Sequence, residues 1–555
     1  MDSMAEAPPP VPSAAPKLDA ENQPAVSSPL NPDAAASRTR TREQREKKAT
    51  LKKRELTDRE SQGPAKKAKK NTKDTTYISP IRYRLPSPKP TDYDPPKAPI
   101  LIPATEKAGK QLYETTEHVY NRKGFRYTNA IVDPRFPASR YHRASEVEPF
   151  TSRIDFKDVG SHMIFDEDVR ATSTEKGFRL ARANVGAREG RFYWECKILS
   201  GVKHDPSDGT TQEGGGHVRL GWARREASLE GPVGFDAYSY GIRDVQGQKV
   251  HMSRPKDFAN SDLCEGDVIG LEITLPSLSL HRKVADGVYN KAVDVSDDVD
   301  PASSGEFADI IRDRVPIRYK TQLYFEQFEY SPVKALEELA NPNPVVNPAN
   351  TSAASDHPNP NHPEASLRTL PFSGIKIYKN GELLGTPFTD LLAFLPPASK
   401  PLPQAGARDG LDDGTLGYYP AISTFRGGAA EVNFGPKFWC PPPELAVDKD
   451  VEMANGTNSN LNPVTAKPIA GSQTKLRPMY ERFDEQIAED VTIDIIDEVD
   501  FWAQDGDEVD GAVDQAPSIL GPVDPQAPDV VAATAEVDDA LVNGLGIREI
   551  VQEEE

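Results

Sequence analysis

The stretch RFYWECKIL, residues 191–199, decides the fold class. Phe192, Trp194, Cys196 and Ile198 fall on one side of an extended chain, with Tyr193, Glu195 and Lys197 on the other. That two-residue period marks a half-buried strand. The pattern recurs outward from it. HVRLGW (217–222) puts Val218, Leu220 and Trp222 on one face, and VIGLEITL (268–275) does the same with Ile269, Leu271, Ile273 and Leu275. GAREG (186–190), EGGG (213–216) and EGD (265–267) supply turns between these runs. Short strands at this spacing, with no long helical pattern among them, predict an all-β sandwich.

The later strands are interrupted. Residues 284–320 are acidic and irregular, and TQLYFEQF (321–328) is a strand-like island. NPNPVVNPANTSAASDHPNPNHPEA (341–365) is too rich in Pro and Asn to hold a sheet and reads as a removable insert. Strands resume at IKIYKNGELLG (375–385), where Asn380-Gly381 predicts a hairpin, because a type I′ turn needs positive φ at both positions. A Pro/Gly stretch at 396–414 precedes the strands YPAISTF (419–425) and AEVNFGP (430–436). Neither half has strands enough to close a core, so one split domain over 151–445 is expected, interrupted at about 284–320, 331–370 and 396–414.

Around the sandwich the composition changes. Proline is 51 of 555 residues, about 9% against a usual ~5%. The apolar fraction is 37% and the mean hydropathy is -0.60, which predicts one folded core with long disordered stretches. Residues 76–150 read as an extended approach segment. From Arg38 to Lys73 there are 15 Lys/Arg against 5 Asp/Glu, and from Asp484 to Glu555 there are 22 Asp/Glu against Arg548 alone. The basic arm within 1–75 is a solvated segment in any reading. Its two clusters, Lys47, Lys48, Lys52, Lys53, Arg54 and Lys66, Lys67, Lys69, Lys70, also have the form of a bipartite nuclear import signal. Nucleosome or DNA contact is a compatible second use. No run of ~18 apolar residues is present, so no membrane-spanning helix is expected, and MDSMAEAPPPVPSAAP does not read as a signal peptide. Cys196, Cys264 and Cys440 are too few and scattered for a disulfide framework or a zinc site, which points to a reducing, intracellular compartment.

Past a polar linker (446–476), one segment breaks the β pattern. Ile487, Val491, Ile495, Val499 and Trp502 recur every three or four residues, one apolar stripe on a helix over 477–503, widened by Ile493 and Ile496. Asp494 falls on the neighbouring polar face. A linker of about thirty residues separates the stripe from the sandwich, and an isolated helix is marginal in water, so docking on a partner is expected over folding back. The tail from 504 to 555 reads as disordered and acidic.

EKGFRLARANVGAREGRFYWECKI (175–198), RLGWA (219–223), GPVGFDAYSYGIRD (231–244), GDVIG (266–270), IKIYKNG (375–381) and PAISTF…VNFGP (420–436) together resemble a SPRY domain, a sandwich of two antiparallel sheets that binds proteins through its loops. More narrowly, the chain resembles the SPRY subunit of the COMPASS histone H3 lysine 4 methyltransferase complex, the absent-small-or-homeotic-discs family. GPVGFDAYSYGIR, LYFEQF before a long break, and RPMYERFDEQIAEDVTIDIIDEVDFW (477–502) carry that narrower likeness. The segment ahead of the strands reads as neither zinc-binding nor winged-helix, which fits the shorter fungal type.

The resemblance implies a non-catalytic, nuclear scaffold subunit. It implies a pocket at Phe178, Arg219, Pro232, Phe235 and Arg243 for an acidic segment of a WD-repeat propeller subunit. It also implies a helix for a small dimeric helical subunit of the DPY-thirty type, and support for a SET-domain methyltransferase subunit. Animal members carry tyrosine at the positions of Phe178 and Phe235 and lysine at that of Val245, so this pocket has less charge and fewer hydroxyls. Arginine forks suit carboxylates. The other reading of Arg219 is a strand residue pointing to solvent, and of Phe178 and Phe235, core aromatics. His162, His217 and His251 show no catalytic spacing, and no cofactor or metal motif is legible. A ubiquitin-ligase substrate receptor is the alternative, and it would want a RING or cullin-docking segment.

Overall fold

Strand Gly190–Ser200 is the axis of the first sheet. The structure, a computed structural model, describes residues 78–81, 88–116, 125–133, 142–204, 211–212, 216–294, 310–319, 321–341, 357–402, 408–446, 475–512 and 549–550. The basic clusters at 47–54 and 66–70 lie outside the described residues.

On one side of 190–200 runs Val268–Leu275, antiparallel, followed by the hairpin of Gly374–Lys379 and Glu382–Thr389. Its turn is the expected one, with φ of 53° at Asn380 and 88° at Gly381. On the other side, Ala429–Asn433 pairs with the upper half, and Leu476–Pro478 takes the lower half in parallel register. Strands 171–173, 164–165, 110–116 and 100–107 complete this sheet. The second sheet runs 254–256, 249–251, 239–243, 217–223, 419–425, 179–183, 154–159. The two pack face to face as the expected sandwich. Trp194 and Trp222 meet edge-on at its centre, with ring centroids 6.2 Å apart, and both are fully buried. Val218, Leu220, Ile269, Leu271, Ile273 and Leu275 join them in one core.

The alternation of 191–199 is only half of the story. Tyr193 and Glu195, expected to face water, are buried as deeply as Trp194. Phe438 and Tyr378 pack on the Tyr193 ring at 4.9 and 5.8 Å, and the Glu195 carboxylate accepts the N–H groups of Trp439 and Cys440. Late chain segments cover this outer face, and a period read from one strand cannot show that.

Three stretches read as irregular are ordered. Within 76–150, strands Ile100–Lys107 and Lys110–Thr116 extend the first sheet. Phe125–Val132 does not join the sandwich; it pairs with Gln322–Phe328 in a third sheet, together with 142–144, 315–319 and 549–550. The LYFEQF island therefore pairs with its neighbour 315–319 on one side and, on the other, with a strand two hundred residues upstream that no local signal reveals. Helices occupy Leu278–Ala285 and Lys334–Ala340 within or beside the expected interruptions. The end of the 341–365 insert is packed as well. His362 and Ser366 are buried, and Arg368 links the His362 carbonyl to the Ala285 carbonyl that ends helix 278–285. Deleting 342–356 is expected to leave the melting temperature within a degree or two. A deletion reaching 366 is expected to lower it by several degrees, through loss of these buried groups.

Two glycines allow close approach within and onto the second sheet. A Cβ on Gly241 would stand 2.8 Å from Val233 Cγ1, and one on Gly221 would stand 1.9 Å from the Tyr240 carbonyl oxygen. The backbone at 221 cannot yield without breaking its pairing with Gly241. Gly221→Ala is expected to cost about 3 kcal/mol, the upper end of the overpacking range, read as a fall in the urea midpoint.

Candidate functional site: an arginine pocket and an outward helix stripe

Strands 217–223 and 239–243 carry their large apolar residues inward, so Arg219 and Arg243 stand on the outer face, directly opposite each other in register. Like charges in this position repel. The Arg219 guanidinium lies over the Phe178 ring at 4.7 Å, and that ring stacks on Phe425, also at 4.7 Å. Arg426 sits 5.0 Å above the Phe425 ring. Among the described residues, no side-chain hydrogen bond or ion pair is made by Arg219, Arg243 or Arg426. Burial and the neighbouring Arg243 charge lower the Arg219 pKa to about 10, against the opposing pull of Asp244. Asp244 is itself occupied, by His217 Nδ1 at 3.1 Å and by the N–H groups of Val218 and Val245. Among the described residues, the site is a cationic, aromatic surface whose three guanidiniums meet no carboxylate in an ion pair.

Pro232 and Phe235 come from the loop laid over this sheet. The Phe235 N–H donates to the Pro232 carbonyl, and the Val233 N–H to the hydroxyl of Ser423, the strand neighbour of Arg219. Phe235 is 50% exposed, so it is not a core aromatic. Phe178 is half-buried. All five expected pocket residues thus belong to one outer face and its covering loop. Phe425 and Arg426 were not expected. Period two puts Phe425 on the face of Ser423, but only the fold puts it under Phe178.

The second feature is helix Glu481–Ala512. It runs past 503, where the sequence reading ends it, and it is not detached. Leu476–Pro478 is already a strand of the first sheet, Met479 is fully buried, and Phe483 and Ile493 pack inward. Asp494, expected on a solvated face, is 1% exposed and ion-paired with both Arg312 and Arg314. Asp490 and Asp497 also reach Arg312, at 3.2 and 3.4 Å. The helix folds back through this acidic face, which residue type alone assigned to water. Ile493 belongs to the docked side and does not widen the stripe. The stripe itself points away from the body: Ile487, Ile495, Val499 and Trp502 are 41%, 54%, 64% and 68% exposed, and Val491 is half-buried.

A cavity of about 710 Å³ lies between the sandwich, the third sheet and this helix, with Arg153, Arg188, Arg312 and Asp490 in its walls. Those arginines are paired, with Glu146, Asp412 and the helix aspartates. Among the described residues no cluster of His, Cys, Asp and Glu could hold a metal ion, and no helix is long and apolar enough to cross a membrane.

No protein-family model matches the chain. The COMPASS component cclA of Colletotrichum higginsianum is 51% identical over 511 residues, covering 88% of each chain. The COMPASS component cclA of Aspergillus fumigatus is 38% identical, over 96% of this chain and 82% of that one. The Set1 complex component ash2 of Schizosaccharomyces pombe is 38% identical, over 76% and 52%. A crystal structure of a human SPRY domain is similar at 14% identity and a TM-score of 0.22, covering 50% of this chain and 99% of that chain. With half of its residues shared over nearly the whole of a relative, the chain belongs to the cclA and Ash2 family of COMPASS components.

Proposed function

We propose that the chain is a non-catalytic scaffold subunit of a COMPASS-type histone H3 lysine 4 methyltransferase complex in the nucleus. The observation that carries the reading is the set of guanidiniums at Arg219, Arg243 and Arg426 around the Phe178–Phe425 stack, none of them ion-paired among the described residues. Such a surface is completed by carboxylates from outside. Its partner in this reading is an acidic segment of a WD-repeat propeller subunit, with Pro232 and Phe235 flanking the contact. The exposed stripe Ile487, Val491, Ile495, Val499, Trp502 supports a second contact, with a small dimeric helical subunit whose apolar groove would cover it. Holding both partners at fixed positions supports the SET-domain subunit without supplying a reacting group. The clusters at 47–54 and 66–70 serve nuclear import in this scheme.

The test is reconstitution. Methylation of histone H3 lysine 4 by the SET-domain and propeller subunits is expected to rise at least tenfold when the full chain is added, and the three proteins are expected to co-elute. Co-elution of the chain with neither subunit, and unchanged methylation, would refute the proposal. Capture of ubiquitin-ligase subunits in their place would favour the substrate-receptor reading.

A further inference from the structure

Met252-Ser253 is the turn that joins strands Lys249–His251 and Arg254–Lys256, and both residues have positive φ, 55° and 56°. Two-residue turns of this kind favour Asn-Gly, because a Cβ resists the left-handed region. Methionine and serine are strained there, and such strain persists only where the surroundings impose it. The surroundings here are the pocket loop. The Ser253 N–H donates to the Gly234 carbonyl at 2.8 Å, and the Ser253 hydroxyl donates to the Phe235 carbonyl at 2.8 Å. The Met252 N–H reaches the Asp236 carbonyl at 3.2 Å, and the Met252 side chain packs on the cluster that contains Val233 and Ala237.

The far side of the loop is pinned too. The Gly234 N–H donates to Ser239 Oγ at 2.8 Å, and the Asp236 carboxylate accepts the N–H groups of Ser228 and Tyr238. Gly234 has φ of +80°, and a Cβ there would stand 2.5 Å from the Val250 carbonyl oxygen. Phe235, half in solvent, is the tip of a loop held from both sides.

We propose that the Met252-Ser253 turn is a brace for the pocket, and that Ser253 stands at a strained position because its hydroxyl sets the Phe235 backbone. Ser253 is a positioning residue, its hydroxyl engaged by the Phe235 carbonyl of the loop. The inference rests on the pocket reading above. Glycine at 253 removes both the strain and the hydroxyl; alanine removes the hydroxyl and keeps the strain. A merely structural serine would let binding follow stability. A brace separates them.

The experiment is calorimetric titration of the full chain with the recombinant propeller subunit, alongside thermal melting. Ser253→Gly and Ser253→Ala are both expected to raise the Kd about fivefold to tenfold, while the glycine variant melts above the alanine variant. An unchanged Kd in both, or a loss confined to the less stable variant, overturns the brace. Arg219→Ala in the same titration separates the two proposals. If it weakens binding and the Ser253 variants do not, only the brace fails. If it too leaves binding intact, the pocket reading fails and the brace falls with it.

Discussion

Arg219→Glu is expected to weaken binding of the propeller subunit by at least a hundredfold and to leave the melting temperature unchanged or higher. The two halves of that expectation have one cause. In the free protein the Arg219 charge is half-buried, faces Arg243 across the strand pair, and has no ion-pair partner among the described residues. Its guanidinium is held beside a like charge, at a cost that a carboxylate of the proposed partner would relieve, in the way binding sites give up stability. Removing charge-assisted hydrogen bonds to the partner costs about 1.5–3 kcal/mol. A like charge facing the partner's carboxylates adds several more. Against this, glutamate beside Arg243 removes a repulsion, at the expense of the cation–π contact with Phe178, worth about 0.5–2 kcal/mol. Titration calorimetry and a thermal melt of the same preparation decide it. Undiminished affinity would remove Arg219 from the site, and a large fall in melting temperature would show that it holds the sheet together.

The sandwich was legible because its signals are local. Alternation over 191–199, 217–222 and 268–275 names the inward residues, and Asn380-Gly381 names its own turn. The third sheet was not legible, since Phe125–Val132 and Gln322–Phe328 meet across a long sequence separation and neither strand announces the other. Buried charge was the second blind spot. Glu195, Glu272, Asp494 and Arg312 are charged residues in the interior, and each is there because a specific partner meets it: backbone N–H groups for Glu195, Arg191 for Glu272, the helix aspartates for Arg312. Polarity predicts the surface only on average. In the pocket, resemblance pointed to five residues and the strand register groups Arg219 with Arg243 on one face. Phe425, Arg426 and the Met252-Ser253 turn required the fold, because they approach the site from separate strands and a hairpin end.

Asp494→Ala is the second large effect, and it runs against what the helical pattern suggests. From the stripe alone, Asp494 is a solvated neighbour whose loss should cost little, and Ile495 is the residue to protect. The structure reverses their parts in stability. Asp494 lies between Arg312, 2% exposed, and Arg314, 10% exposed, so alanine leaves two buried guanidiniums short of a counter-charge. Breaking a buried pair from one side costs about 3–5 kcal/mol. Amide exchange across 481–500 is expected to quicken by about two to three orders of magnitude, reporting release of the helix from the body. Asp497→Asn is the matching control. Burial raises the Asp497 carboxyl to about 6, so its charged form is already disfavoured in the folded state, and neutralising it is expected to change exchange by less than threefold. The sign follows: a carboxyl raised in the fold gains stability as pH falls from about 6 towards its ordinary 3.8, the reverse of a paired carboxylate. Ile495→Asp, on the exposed stripe, is expected to leave exchange and melting unchanged and to abolish capture of the small helical dimer. A carboxylate there forfeits the ~1.5–3 kcal/mol of apolar burial and adds a desolvation penalty. If Asp494→Ala left exchange untouched, the arginines would not be holding the helix. If Ile495→Asp retained the dimer, the partner would meet some other face. Replacing Arg312, Arg314, Asp490, Asp494 and Asp497 together by apolar residues of similar volume is expected to restore most of the lost protection, because a buried ion cluster is replaceable as a whole and costly to break in part.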